Sequence, residues 1–285
     1  MSHFYLTLPS NSSQKYYPNN TLTHYITKLH NPVDLQGGWE VGLSEIFYPH
    51  TWHNVGKYEQ IIVSCFYCAG VDPQFTFASS ENKAYTKILQ IKRGYYESVA
   101  SLLQEINDTI KQIFSKELEG HDDASQIKRS TWPHFHYNKA IRKVIIDLDG
   151  NTEVKFTPGL ADILGVSDNQ NPVINPTKDR KIFKLNRISD VDRGLTSLYL
   201  YCDVLEHVPV GDTLAPLLRI CDAQGEYGKV VHKYFDKPRY IPVQKKHFDT
   251  VEILIRDRFG QAVPFENGEL VVTLHFRRSK DTYFI

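Results

Sequence analysis

The chain has 285 residues, and its 33 Lys plus Arg balance 33 Asp plus Glu, which gives a formal net charge of +0 and a pI near 7.2. That balance supplies no global basic field of the kind that wraps nucleic acid or lies on anionic lipid, so neither nucleic acid nor a membrane is expected as a partner. The length allows one large β domain or two smaller ones with a substantial core, and 17 Tyr, 15 Phe and 3 Trp fit sheets and contact surfaces better than a helical bundle.

The opening MSHFYLTLPSNSS has no basic segment followed by an apolar core, so no secretory signal is expected. Nor does any run reach the roughly 18 apolar residues of a membrane span. Four cysteines, Cys65, Cys68, Cys202 and Cys221, are too few and scattered for a disulfide framework and are expected as reduced thiols made inside a cell.

Taken in order, residues 4–8 read as a short strand, 9–20 as a loop or extended arm, and 21–29 as a second strand. In WEVGLSEIFYP, Trp39, Val41, Leu43 and Phe47 fall on one face with Glu45 as the polar exception, which predicts a central strand ending at Pro49. Alternation of Ile61, Val63, Cys65 and Tyr67, and the segment 85–92, predict two more strands. From Tyr95 the period changes: Val99, Leu102, Leu103, Ile106, Ile110, Ile113 and Phe114 recur at spacings of three and four, which predicts one long helix to about Leu118.

Residues 120–130 read as a polar loop. RKVIIDLDGNTEVKF predicts a hairpin turning at Asp149-Gly150-Asn151. A short helix, GLADILG, follows Pro158 and stops at Gly165. After a loop at 167–179, Leu198, Leu200, Cys202 and Val204 open a new alternating strand. APLLRICD, KVVHKYFD and RYIPV read as further strands.

The cleanest period-two runs lie in Thr250–Arg278. There Val251, Ile253 and Ile255, and then Leu270, Val272, Leu274 and Phe276, alternate with largely polar residues, which predicts two paired antiparallel strands over a core. Together these elements predict an all-β protein: a Greek-key β-sandwich formed by 1–93 and 181–285, with a helix, a hairpin and a second helix inserted at 94–180.

Candidate chemistry is sparse, and no catalytic residue, cofactor or cofactor-binding residue is assigned. Cys65 and Cys68 have CxxC spacing, but on a strand residues three apart face opposite sides, so they read as structural. His134 and His136 form an HxH whose imidazoles share one side of a strand, as in the metal sites of cupin-type sandwiches. No third ligand follows them, and Asp147 belongs to another strand, so the pair is kept only as a weak metal alternative. No G-x-S-x-G, Walker-type loop or G-x-G-x-x-G is present. The basic clusters Lys178, Arg180, Lys181, Lys184 and Arg277, Arg278, Lys280 read as solvated surface or salt bridges.

The segments LPSNSSQKYYPNNTLTHYITKL, GGWEVGLSEIFYPHTW, YLYCDVLEHVPVGDTLAPLLRI and FDTVEILIRDRFGQAVPFENGELVVTLHFR resemble proteins of Polinton (Maverick) transposons and the related adintoviruses, as do GYYESVASLLQEIN and LADILG. The resemblance runs over nearly the whole chain. It implies a minor capsid protein, the penton subunit: a jelly roll with an insertion, assembling as a homopentamer at icosahedral vertices beside a double jelly-roll major capsid protein, located in the virion and without enzymatic activity. No site residue is carried over. A carbohydrate-binding or adhesive β-sandwich module is the alternative, and a cupin-like metalloenzyme built on His134 and His136 is a third.

Overall fold

The computed structural model describes residues 2–66, 84–118, 132–150, 152–177, 179–192 and 195–279. The chain is mostly β and divides into two compact units, Met1–Trp52 with Leu195–Ile285, and His53–Gly194. In chain order the first unit begins with β1 (His3–Pro9), β2 (His24–Asp34) and β3 (Trp39–Pro49). The second unit holds β4 (Gln60–Phe66), β5 (Ala84–Gln90), α1 (Val99–Leu118), β6 (His134–Asn138), β7 (Lys143–Leu148), β8 (Thr152–Phe156), α2 (Pro158–Leu164), β9 (Val173–Asn175) and β10 (Lys181–Lys184). The chain then returns to the first unit through β11 (Ser197–Cys202), β12 (Val208–Val210), β13 (Thr213–Ala215), β14 (Leu217–Asp222), β15 (Val230–Tyr234), β16 (Ile241–Pro242), β17 (His247–Arg256) and β18 (Val271–Arg278).

The first unit has two main antiparallel sheets, ordered β1-β18-β3-β15 and β14-β11-β17-β2, with the short β16 also pairing with β3. The small β12–β13 hairpin stands apart from both. Lettering the eight long strands B to I along the chain turns these orders into B-I-D-G and F-E-H-C, which is jelly-roll-like. The alternating runs explain why both sheets close on one core. Leu8, Val41, Leu43, Val272, Leu274 and Phe276 point in from one sheet and Tyr25, Leu198, Leu200, Val251, Ile253 and Ile255 from the other, all fully buried.

Two sequence expectations change here. First, β17 and β18 do not pair with each other. Strand β17 lies between β2 and β11, and β18 between β1 and β3. Alternation identifies the buried face of a strand but not its neighbour, and these two strands face the same core from opposite sheets. Second, Phe47 is not on the Trp39 face. Thr273 pairs with Glu45 but Leu274 pairs with Leu43, so Ser44 is an extra residue that shifts the register. This bulge turns Ile46 and Tyr48 into the core, both fully buried, and sends Glu45 and Phe47 to the outer face.

In the second unit, sheets β5-β4-β8-β9 and β10-β7-β6 share a separate core with α1 and α2. Helix α1 starts later than Tyr95 because Ser98 and Ser101 cap it reciprocally: Ser101 N–H donates to Ser98 Oγ (3.1 Å) and Ser98 N–H to Ser101 Oγ (3.2 Å). Its stripe of Val99, Leu102, Leu103, Ile106 and Ile110 is buried, and the helix packs on β6. Helix α2 ends where Gly165 turns left-handed at φ 82 and donates to the Ala161 and Asp162 carbonyls. An added Cβ there would lie 2.5 Å from the Arg187 carbonyl oxygen.

The predicted hairpin is not formed. Strand β7 pairs with β6 and β10, whereas β8 pairs with β4 and β9, so the chain crosses between sheets at the Asp149-Gly150 bend. Asn175 holds that crossing: its Nδ2 donates to the carbonyls of Leu148 and Asp149 at 3.1 Å each. Because β4 and β5 pair within this unit, its boundaries fall at 52/53 and 194/195 and not at the expected 93/94 and 180/181.

Candidate interaction surface

The outer face of the β1-β18-β3-β15 sheet is built from the residues that alternation leaves pointing away from the core. Register sets them in cross-strand rows: His3, Arg277 and Glu40; Tyr5, His275 and Gly42; Thr7, Thr273, Glu45 and Tyr234; Pro9, Val271, Phe47 and His232. Tyr5 and Tyr234 are 54% and 63% exposed, so the face offers large aromatic rings to solvent.

Gly42 permits a crossing over this face. A Cβ at that position would lie 2.8 Å from the Arg239 carbonyl oxygen and 2.9 Å from Pro238 Cβ, so only glycine lets the 238–240 segment lie on the strand. The crossing delivers Tyr240, whose hydroxyl is 2.7 Å from His275 Nδ1. His275 Nε2 in turn is 3.3 Å from His3 Nδ1, and the Tyr5 ring stacks on His275 with centroids 4.3 Å apart. Arg277 lays its guanidinium over the Tyr240 ring at 3.4 Å and donates to Glu40. Burial, then His3, then Arg277 hold the His275 imidazole below its ordinary 6.5, and burial pushes the Tyr240 phenol up. At the other edge, Phe47 stacks on His232, whose Nε2 is 3.1 Å from Glu45 Oε2.

His134 and His136 do share one side of β6, with ring centroids 4.4 Å apart and edge to face. Asp147 lies directly opposite His134 in register, yet its carboxylate accepts two bonds from Arg180, both 2.7 Å. Among the described residues no group of three His, Cys, Asp or Glu is placed to hold a metal. A groove of about 390 Å³ runs beside the pair between α1 and β6, lined by Leu103, Asn107, Asp108, His134, Tyr137 and Lys139. One of its polar lining groups, Asn107, is already committed to the backbone N–H and C=O of Phe135 at 3.0 and 2.9 Å.

Of the basic clusters, Arg180 is paired with Asp147 and Arg277 with Glu40, which matches the salt-bridge reading for those two. Lys178 and Lys280 lie outside the described residues, as does Cys68 of the CxxC pair. Cys202 and Cys221 are free and buried. No described helix is long and apolar enough to cross a membrane.

The interaction face was missed in the sequence because its members come from 3, 5, 40, 240, 275 and 277. Alternation marks each as outward, but nothing local links them.

No protein-family model matches the chain, and no curated protein matches it. Among solved structures, the mavirus penton protein aligns at 11% identity with a TM-score of 0.49, covering 98% of this chain and 100% of that one. A chain from the 3.5 Å structure of the Sputnik virophage aligns at 10% identity with a TM-score of 0.47, covering 100% of both.

Proposed function

We propose that this chain is a structural protein of a viral capsid, the penton subunit of a Polinton- or adintovirus-like element, which works by assembly and not by catalysis. The observation that carries the reading is the strand order of the first unit, B-I-D-G against C-H-E-F, the arrangement of a jelly roll. The second unit is then an insertion between the third and fourth strands of the roll. The segment resemblance supplies the functional half of the argument, since a fold alone does not specify function.

The surface supports the same conclusion. Strand β1 is an edge strand with no Lys, Arg, Asp or Glu between His3 and Pro9, and it borders a face carrying exposed Tyr5 and Tyr234. Such an edge is a liability for an isolated chain and is covered when copies meet side to side. Five copies in heterologous contact close a ring at an icosahedral vertex, whose rim meets a double jelly-roll major capsid protein in the virion.

The test is native mass against concentration, with and without the major capsid protein. A pentamer, or incorporation into particles at vertex stoichiometry, is expected. A chain that stays monomeric in both settings and is excluded from particles would sink the reading. The exposed tyrosines of the sheet face also favour a second role, glycan binding by ring stacking, for which a glycan array with a Tyr5→Ala, Tyr234→Ala control is decisive.

A further inference from the structure

We infer that Tyr240, His275 and His3 form a pH-sensitive latch that holds the amino-terminal end of β1 on its sheet and releases it in acid, baring the aromatic surface beneath Phe4. The inference does not depend on the capsid reading.

The three groups form one continuous hydrogen-bonded chain. A neutral imidazole has one donor and one acceptor nitrogen. In one tautomer the Tyr240 hydroxyl donates to His275 Nδ1 at 2.7 Å and His275 Nε2–H donates to His3 Nδ1 at 3.3 Å, and in the other both bonds run in reverse. One added proton is tolerated, because an imidazolium at His275 still donates to His3 and can donate to the phenol oxygen. Two are not: with both rings charged, an N–H on His275 faces an N–H on His3.

The charged and titratable groups around the pair decide the sign. Strand β1 contributes His3 and Tyr5, β18 contributes Arg277, β3 contributes Glu40, and the 238–240 crossing contributes Tyr240. Glu40 is engaged by Arg277, so no free carboxylate among these groups is available to stabilise a doubly charged histidine pair. Burial, then His3 and then Arg277, hold His275 below its ordinary 6.5 in the fold. A histidine depressed in the folded state contributes its full stability above 6.5 and loses it as the pH falls through the depressed value.

Release has a defined structural effect. Phe4 stacks on Phe276 with centroids 4.8 Å apart and 3° between planes, and contacts Trp39 at 5.6 Å. Phe276 is fully buried under it. The latch controls only the His3–Tyr5 end, because farther along Leu8 is in the core and its carbonyl accepts from the Tyr25 hydroxyl at 3.0 Å.

The experiment is hydrogen exchange on the full chain at about pH 7.5 and about pH 5, corrected for intrinsic rates, reading His3–Tyr5 and Phe276–Arg278 against β17 as internal control. The expected result is a several-fold loss of protection at the β1 end in acid, with β17 unchanged. His3→Gln, on an exposed side chain, keeps the fold and abolishes the pH dependence, and His275→Gln does the same. Uniform change across β1 and β17, no change at all, or an acid-induced loss that persists in His3→Gln would each overturn the latch.

Discussion

Replacing Gly42 by alanine tests whether the 238–240 crossing is seated as tightly as its geometry indicates. Gly42 has no left-handed backbone requirement, so a β-carbon costs nothing through φ and would gain about 0.4–1 kcal/mol by restricting the unfolded chain. Against that, the new carbon would lie 2.8 Å from a backbone carbonyl oxygen and 2.9 Å from a proline ring, neither of which is the free end of a flexible side chain. Overpacking of this kind costs about 1–3 kcal/mol. Lifting the crossing also weakens the Arg277–Tyr240 stack, a contribution of about 0.5–1 kcal/mol where partly exposed. The contact wins, and the net expectation is a destabilisation of about 2 kcal/mol, a factor of about 30 in the folded-to-unfolded ratio. Urea unfolding should show a lower midpoint with an unchanged slope, provided the probe reports on the first unit, since two units need not melt together. A Gly42→Ala protein as stable as the parent, or more so, would refute the seating of the crossing and with it the placement of Tyr240.

Ile106, fully buried on α1, is expected to cost several kcal/mol when changed to Asp, because an unpaired carboxylate would enter the core of the second unit. An unchanged melting temperature for that unit would show the helix face to be misread. Leu274→Ala should cost about 2–5 kcal/mol in the first unit by denaturant unfolding, as a fully buried core leucine does. Burial pushes the Cys202 thiol up to about 12 and the Cys221 thiol to about 11, so both should resist alkylation at about pH 8 until the chain unfolds. Peptide-resolved labelling of the native protein at either cysteine would contradict this.

What the sequence made legible follows from period. The runs through β3, β11, β17 and β18 and the stripe of α1 place nearly every expected apolar residue in a core, Trp39 included. What it concealed follows from the limits of period. A strand's alternation says which face is buried but is silent on partners, which is why β17 with β18 and β7 with β8 read as pairs when each belongs to a different sheet. One unpaired residue, Ser44, was enough to put Phe47 on the wrong side of β3, and the polar Glu45 in an apolar row was the only trace of it. The site was less legible still. His134 and His136 advertised themselves by adjacency, whereas His3 and His275 meet only because β1 closes the sheet on β18.

That closure constrains the order in which the protein can be made. Thr7 and Thr273 share a hydrogen bond across 266 positions of chain, so β1 and β3 leave the ribosome long before β18, the strand that sits between them. The second unit, His53–Gly194, emerges whole in the interval with a hydrophobic core of its own. The amino-terminal strands must therefore wait, with their inward apolar faces unshielded, for the last strand to be synthesised. Long-range pairing of this kind is slow, and the nascent chain is expected to depend on chaperones or on the early folding of the second unit to keep β1–β3 from pairing wrongly.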